Sequence, residues 1–213
     1  MVDGHPESCY WWKPLEAGHS QSVREQILEA AYREIHIHGF QAASLSRILA
    51  RTGVTKGALY HHFPNKKALG YAVIDEMLAR RIEQAFIEPM VAAEDPVEAL
   101  IAVIEEAGNS FTLYDVELGC PLSSLSQEMS GIDEGFRQRL MDIYERWREA
   151  LEQAFRRARE TGRLSPEVDC ETLSVMVVAT LDGCLQAGKI TQNMNRLLQC
   201  GAGLIQYLRL LKR

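Results

Sequence analysis

The sequence predicts an all-α protein in which an N-terminal helix-turn-helix domain of three helices is joined to a C-terminal helical bundle, with about nine helices in all. Nearly every periodic segment repeats its apolar residues at the spacing of three and four that a helix requires. No segment alternates apolar and polar residues convincingly, as a half-buried strand would. Residues that cap helices, and glycines or prolines that stop them, bound most of these segments.

Residues 22–90 contain four segments of this kind. The first places Val23, Ile27, Ala31 and Ile35 on one face, and Gly39 is positioned to end it. Polar residues that favour helix N-caps precede the other three segments. The sequence therefore predicts three further helices: Leu45 to Arg51 after the N-cap Ser44, a short one begun by Thr55, and a longer one from about Asn65 to Glu88, closed by Pro89.

The rest of the chain reads as five more helices. The longest should carry an apolar stripe at steps of three and four, formed by Phe136, Leu140, Ile143, Trp147, Leu151 and Phe155. An aspartate, a proline and a glutamate at positions 95, 96 and 98 make a strong helix start. The predicted segments are Asp95 to about Tyr114, Cys120 to near Gly131, Asp133 to Thr161, Asp169 to about Gly188, and Asn193 to Leu211.

The composition is that of a globular protein. The chain has 213 residues, of which 46% are hydrophobic and 24% charged. No apolar run approaches the roughly 20 residues of a membrane span, and the first residues lack the order of a signal peptide. Five cysteines are widely scattered without a C-x-x-C pair, so neither a disulfide framework nor a zinc site is indicated. We therefore expect a soluble cytoplasmic protein.

The charge is unevenly distributed along the chain. The net charge is −6, yet residues 22–82 carry nine Lys and Arg against five Asp and Glu. Residues 83–213 carry thirteen Lys and Arg against twenty-one Asp and Glu. A basic N-terminal third beside an acidic remainder is typical of a DNA-binding head on a body that does not bind DNA.

The stretch TGVTKGALYHHFPNKKAL, from Thr52 to Leu69, is the most informative part of the sequence. Two short helices with Gly53 between them form a helix-turn-helix, in which the second helix enters the DNA major groove. Small residues on that helix permit close approach, and hydroxyl, ammonium, phenol and imidazole groups can contact phosphates or base edges. The residues predicted to be exposed for this purpose are Thr55, Lys56, Gly57, Ala58, Tyr60, His61 and His62.

The segment SLSRILARTGVTKGALYHHFPNKKAL resembles the DNA-binding segment of the TetR family of bacterial repressors. The pattern G-V-x-K-G-x-L-Y-x-x-F-x-x-K-x-x-L is complete from Gly53 to Leu69. The resemblance implies a homodimer through the last two helices, double-stranded operator DNA as partner, and a small organic inducer held in the C-terminal body. It also implies DNA contacts at Ser44, Thr55, Lys56, Gly57, Tyr60, His61 and Lys66. A second segment, GCPLSSLSQEMSGIDEGFRQRL, is similar to a branch whose inducers are often small, reactive or oxygenated compounds.

These expectations divide the chain into a flexible tail (residues 1–21), a helix-turn-helix domain (22–66) and a ligand-binding and dimerisation domain (67–213).

Aromatic residues with a polar tip suit a partly apolar ligand that bears one or two oxygens. Cys120 precedes a proline at a helix start, where a thiolate is favoured, although an inert packing role is the alternative. The predicted pocket residues are Phe111, Tyr114, Cys120, Leu122, Leu125, Tyr144 and Trp147.

Two other classes of protein remain as alternatives. An enzyme could use acidic residues and histidines for acid-base chemistry, but no Glu-x-x-His, phosphate loop or nucleophile elbow is present. A helical small-molecule-binding protein without DNA binding would leave the basic segment unexplained.

Metal binding by His36, His38, His61 and His62 is disfavoured by their spacing, so no metal, cofactor or catalytic residue is predicted. The pair Trp11-Trp12 is expected to lie in the flexible tail.

Overall fold

The computed structural model describes residues 9–13 and 22–213, which form two compact units. The first contains the described residues up to Arg81 together with Pro121–Met141, and the second contains Ile82–Cys120 and Asp142–Arg213. Each unit is therefore discontinuous in sequence. This division differs from the predicted domain boundary between residues 66 and 67, because residues 67–81 and 121–141 pack with the N-terminal helices.

The helices of the first unit are α1 (Val23–His38), α2 (Leu45–Thr52), α3 (Lys56–His62), the first part of α4 (residues 66–92), α7 (Pro121–Met129) and the first part of α8 (Glu134–Glu160). Helix α4 is a continuous helical segment over residues 66–92, built from Lys66–Ala72, a π turn Val73–Leu78, Ala79–Ile82, a second π turn Glu83–Ile87, and Glu88–Ala92. Helix α1 contacts α2, α3, α4 and α7. The core of this unit is thus centred on α1.

Local side chains define the starts of these helices. The Ser22 hydroxyl accepts from the Glu25 N–H while the Glu25 carboxylate accepts from the Ser22 N–H, which makes a capping box. Thr55 and Asn65 each accept a backbone N–H three residues ahead and so cap α3 and α4. Gly39 ends α1 at positive φ.

The second unit contains the remainder of α4 and α8 with α5 (Pro96–Ser110), α6 (Leu113–Leu118), α9 (Cys170–Thr191) and α10 (Met194–Leu211). Helix α8 as a whole spans Glu134–Glu160. Helices α9 and α10 form an antiparallel pair whose turn passes through Gln192 in the left-handed conformation. The apolar stripe predicted along α8 is buried throughout: Phe136, Leu140, Ile143, Trp147, Leu151 and Phe155.

The all-α prediction is confirmed, but two helix ends differ from those expected. The helix predicted from Asp95 to about Tyr114 is two helices, because Thr112 makes a capping box with Asp115 and starts a new one. The helix predicted to close at Pro89 continues to Ala92. Pro89 lies just after the second π turn, Glu83–Ile87, so the helical segment passes through the proline instead of ending there.

The expectation that Trp11 and Trp12 lie in a flexible tail is wrong. Residues 10–12 form a 3₁₀ turn, and both indoles are buried. The Trp12 indole N–H donates to His36 Nδ1 at 3.3 Å, and the Arg33 guanidinium lies over the Trp12 ring. The large apolar area of the two rings explains why this segment packs against the first unit. The remaining residues of the predicted tail lie outside those that the structure describes.

Helix α9 corrects two further expectations. By length and composition alone its 22 residues could cross a membrane, whereas no apolar run of that length was expected. The buried residues of this helix, among them Leu173, Val177 and Leu185, lie on a helix that contacts α10 and α6. Cys184 on α9 is joined to Cys200 on α10 by a disulfide, whereas no cysteine pairing was expected. The pairing comes from the antiparallel packing of the two helices, which sequence spacing does not reveal.

Candidate DNA interface and ligand-contact residues

The turn between α2 and α3 has the geometry that a helix-turn-helix requires. Gly53 adopts the left-handed conformation with φ 69° and ψ 4°, and its N–H donates to the Leu49 carbonyl at 2.9 Å. Ile48 on α2 and Leu59 on α3 are buried. Helix α1 contacts both α2 and α3, so the side of α3 that carries Leu59 is held in the core of this unit and the opposite side faces solvent.

The predicted contact residues of α3 lie on that solvent-facing side. Lys56, Gly57, Tyr60 and His61 are exposed, and the N-cap Thr55 is exposed as well. The Lys56 ammonium lies 5.8 Å from the centroid of the Tyr60 ring. A β-carbon added at Gly57 would meet nothing closer than 4.0 Å, so the backbone of α3 is open to close approach there. Ala58, which was also predicted to contact DNA, is half-buried.

Ser44 and Lys66 lie on other elements of the same unit. The Ser44 N–H donates to Glu34 Oε1 at 2.9 Å, and its hydroxyl caps α2. The Lys66 ammonium donates to the Gln41 carbonyl at 2.9 Å and lies 5.1 Å from the centroid of the Phe40 ring. Both residues therefore have partners within the protein before any contact with DNA.

Much of the positive charge of the first unit is already paired. Arg24 bonds to Glu76, Arg47 to Glu34, and Arg81 to Glu29. The hydrogen bonds that the Arg24 guanidinium donates to the Glu76 carboxylate raise the pKa of Arg24. For Lys56 no ion pair is found among the described residues. Lys56 is consequently the basic residue of α3 that is best placed to contact phosphate.

Glu128 on α7 holds the turn between α1 and α2. Its two carboxylate oxygens accept the backbone N–H groups of Phe40 at 2.7 Å and Gln41 at 2.8 Å. Gly39 permits this approach, since a β-carbon there would lie 2.8 Å from Glu128 Oε2. From sequence alone Glu128 is one of many acidic residues. No local pattern signals the contact, because the partners are 87 and 88 residues apart.

A second carboxylate, Asp133, binds α4 just after its N-terminus. It forms an ion pair with the Lys67 ammonium at 2.6 Å and accepts the Tyr71 hydroxyl at 2.6 Å. These bonds, that from Lys67 first, hold the pKa of Asp133 well below its usual range. The same pair raises the pKa of Lys67. Lys67 is thus committed to the protein, whereas its neighbour Lys66 bonds only to a backbone carbonyl.

The residues predicted to line a ligand pocket are divided between the two units. Leu122 and Leu125 belong to the first unit and are buried on α7. The other five belong to the second unit: Phe111, Tyr114, Cys120, Tyr144 and Trp147. Of these five, Cys120 and Trp147 are buried and the other three are half-buried. Which of these residues contact a ligand stays a prediction.

Trp147 is the most informative of these side chains. It is 4% exposed, and its ring packs against Phe86 with centroids 4.7 Å apart. Its indole N–H is buried and finds no acceptor within the part of the chain that the structure describes. A buried N–H without an acceptor costs about 1 to 3 kcal/mol. Among the described residues, the Trp147 indole thus has a hydrogen-bond donor left for a further acceptor.

Two family models match the chain. The model described as "Bacterial regulatory proteins, tetR family" matches residues 27–73, and the one described as "Tetracyclin repressor-like, C-terminal domain" matches residues 96–200. The first match contains α2 and α3, and the second contains Trp147.

Individual proteins are similar over most of their length. The HTH-type transcriptional regulator LmrA of Bacillus subtilis is 30% identical over 176 residues, which are 82% of this chain and 90% of that protein. The transcriptional regulator AcuR of Cereibacter sphaeroides is 27% identical over 181 residues, 84% of this chain and 81% of that one. A crystal structure of a TetR transcriptional regulator from Chloroflexus aurantiacus superposes with a TM-score of 0.77 at 24% identity, covering 89% of this chain and 96% of that one.

Proposed function

This chain belongs to the TetR family of bacterial regulatory proteins, and we propose that it is a repressor released from its operator by a small oxygen-bearing organic ligand. Regulators of this family bind operator DNA and small-molecule inducers, typically as dimers. The chain is accordingly a ligand-responsive DNA-binding regulator. The observation that carries the proposed ligand class is the buried indole N–H of Trp147.

DNA binding is assigned to the exposed face of α3 together with Ser44 and Lys66. In a dimer, two copies of α3 enter successive major grooves about 34 Å apart, so a roughly palindromic operator is expected. Lys56 and Lys66 supply phosphate contacts, which give affinity without sequence preference. Tyr60, His61 and Gly57 approach the DNA bases, or the DNA backbone between the two phosphate contacts. A repressor of this kind acts by occupying the operator.

We expect Lys56→Ala and Lys66→Ala each to weaken operator binding about tenfold at moderate salt, since each removes one phosphate contact. The measurement is fluorescence anisotropy with operator and scrambled duplexes at several salt concentrations. The salt slope should fall by about one per subunit, with equal losses on both duplexes. Arg156→Ala, which removes one positive charge from the second unit, serves as the control and should change little. A change in sequence preference without loss of affinity would contradict the phosphate assignment.

The ligand is assigned to the body, where Trp147 donates a hydrogen bond and Phe86 offers an aromatic surface. A carbonyl or carboxylate oxygen of the ligand accepts the hydrogen bond from the Trp147 indole N–H. The apolar part of the ligand packs against the apolar side chains of the body. Binding of ligand and binding of operator then oppose each other with a coupling free energy of about 1 to 3 kcal/mol. A thermal-shift screen of small metabolites in the presence and absence of operator identifies the ligand.

Trp147→Phe should weaken that ligand about fivefold to tenfold, because one hydrogen bond of about 1 kcal/mol is lost. The same change should leave the stability of the ligand-free protein nearly unaltered, since removal of the unsatisfied N–H offsets the volume lost. Isothermal titration and chemical denaturation measure the two effects. Trp12→Phe is the matched control, because the Trp12 indole N–H has an acceptor in His36. That variant should lose stability and keep its ligand affinity, and the reverse pattern would place the ligand elsewhere.

The dimer interface is assigned to the outward faces of α9 and α10. Val175 on α9 and Tyr207 and Leu210 on α10 are large apolar residues exposed on these helices, as a surface that binds a second copy requires. A β-carbon added at Gly183 or Gly203 would meet nothing within 4 Å, so both helices present small residues that allow a second pair to approach closely. A four-helix seam between two copies covers this surface.

Gly183→Glu should convert the dimer to a folded monomer of 24.0 kDa, because a carboxylate cannot be buried in an apolar seam without a partner. The substitution adds a side chain in open space and replaces a helix glycine, so the monomer itself should not be destabilised. Light scattering over a range of concentrations measures the mass. Gln153→Glu adds the same charge to an exposed position of α8 and should remain dimeric. A dimer for Gly183→Glu at low micromolar concentration would move the interface elsewhere.

A further inference from the structure

Cys184 on α9 and Cys200 on α10 are joined by a disulfide within the second unit. Cys184 lies near the end of α9 and Cys200 on the facing side of α10, with Cα atoms 5.3 Å apart. This separation lies within the range in which two cysteines bond without movement of the backbone. The other three cysteines, Cys9, Cys120 and Cys170, are buried.

A permanent disulfide is not needed to hold α9 against α10. Helices α9 and α10 already pack along their length through buried Val177, Leu185, Leu204 and Leu208. Disulfides in proteins of reducing compartments are usually transient, and serve catalysis or sensing. Here that argument rests on the cytoplasmic location that a bacterial DNA-binding regulator implies.

We propose that Cys184 and Cys200 form a reversible redox site, which a hydroperoxide closes to a disulfide and a cellular thiol of the glutathione type reopens. Neither cysteine is among the predicted pocket residues or the predicted DNA contacts. It gives the regulator a second input, an oxidant, besides its organic ligand.

The closing reaction starts at Cys200, which is half-buried, whereas Cys184 is only 3% exposed. The Cys200 thiolate attacks one oxygen of hydrogen peroxide, the O–O bond breaks, and hydroxide leaves and takes up a proton to become water. Cys200 is then a sulfenic acid. The Cys184 sulfur loses its proton and attacks Cys200 Sγ, the S–O bond breaks, and a second water leaves.

Two protein thiols are thereby oxidised by two electrons while one peroxide is reduced to two waters. Reopening uses two glutathione thiols, which become glutathione disulfide as the two protein thiols are restored. Cys170, also on α9, is a poor competitor because burial raises the pKa of its thiol. It therefore provides a control on the same helix.

Formation of the disulfide fixes the register of α9 against α10 at Cys184. One helical turn later, α9 contacts the end of α6. Gly188 packs against Val116 and Leu197, and the Lys189 ammonium donates to the Leu118 carbonyl at 2.9 Å. The disulfide thus restrains the segment of α9 that holds α6. Because it also restricts the unfolded chain, the closed form should unfold at a higher temperature than the open form.

The test compares the full-length protein after reduction, after treatment with hydrogen peroxide, and after further treatment with millimolar reduced glutathione. Thiol titration under denaturing conditions should find five thiols, then three, then five again. Mass mapping should place the bond between Cys184 and Cys200. The melting temperature should rise by about 6 to 12 °C on oxidation and return on reduction.

Cys184→Ser and Cys200→Ser should each abolish both changes, and Cys170→Ser should keep them. If either serine variant folds poorly, Cys→Ala at the same position replaces it. A protein that keeps five thiols in peroxide overturns the proposal, as does a disulfide that survives glutathione and therefore acts as a permanent staple. A bond between two chains on a non-reducing gel overturns the intrachain assignment. Since none of these measurements involves DNA or the organic ligand, failure here is distinct from failure of the proposed repressor function.

Discussion

Gly39→Ala should lower the free energy of unfolding of the protein by about 3 kcal/mol. Gly39 has φ 77° and ψ 163°, a region essentially restricted to glycine, and occupation by alanine costs about 1 to 3 kcal/mol. The new β-carbon would also lie 2.8 Å from Glu128 Oε2. The carboxylate must then move and weaken its bonds to the Phe40 and Gln41 N–H groups, each of which is charge-assisted. Chemical denaturation followed by circular dichroism measures the loss.

A double-mutant cycle separates the two causes. In Glu128→Ala the carboxylate is absent, so adding Gly39→Ala should cost only the backbone strain, and the two losses should be less than additive. Glu128→Gln tests the charge, because the amide keeps one acceptor oxygen but not the second. Strict additivity would show that Gly39 and Glu128 act independently. Because the turn that Glu128 holds precedes α2, both variants should also weaken operator binding.

The local parts of this structure were predictable from sequence. Ser44, Thr55 and Asn65 cap helices as their side chains require, and Gly53 takes the left-handed turn between α2 and α3. Such features depend on residues within one turn of helix, so a linear pattern encodes them. The exposed face of α3 was predictable for the same reason, since Leu59 fixes which side of the helix is buried.

Contacts between distant residues were not predictable. Glu128 reads as one of many acidic residues, and only the fold brings it to the Phe40 N–H. Trp12 has no periodic neighbours, yet its indole finds His36, 24 residues later. The spacing of Cys184 and Cys200 fits no motif, and their pairing follows from the position of the turn between α9 and α10. In each case the partner is chosen by packing, which a single sequence does not display.

Gly70→Ala should lower the free energy of unfolding by about 2 kcal/mol, although glycine to alanine inside a helix ordinarily raises it by as much as about 1 kcal/mol. The reason is the packing around Gly70 on α4. An added β-carbon would lie 2.5 Å from Phe40 Cε2 and 2.8 Å from Phe136 Cζ. The two rings pack against each other with centroids 4.5 Å apart, and Phe136 is fully buried, so neither ring moves aside without cost.

Gly57→Ala is the matched control for this reversal of sign, because Gly57 also lies inside a helix but has open space around it. It should stabilise the protein slightly while weakening operator binding, if α3 approaches DNA as proposed. Phe40→Leu shortens the ring that the new methyl group meets first, so the double variant Gly70→Ala with Phe40→Leu should lose less than the sum of the two single losses. Equal stability of Gly70→Ala and wild type would mean that the aromatic pair yields to a methyl group. The close packing of α4 against Phe40 and Phe136 would then not be what fixes α4 in the first unit.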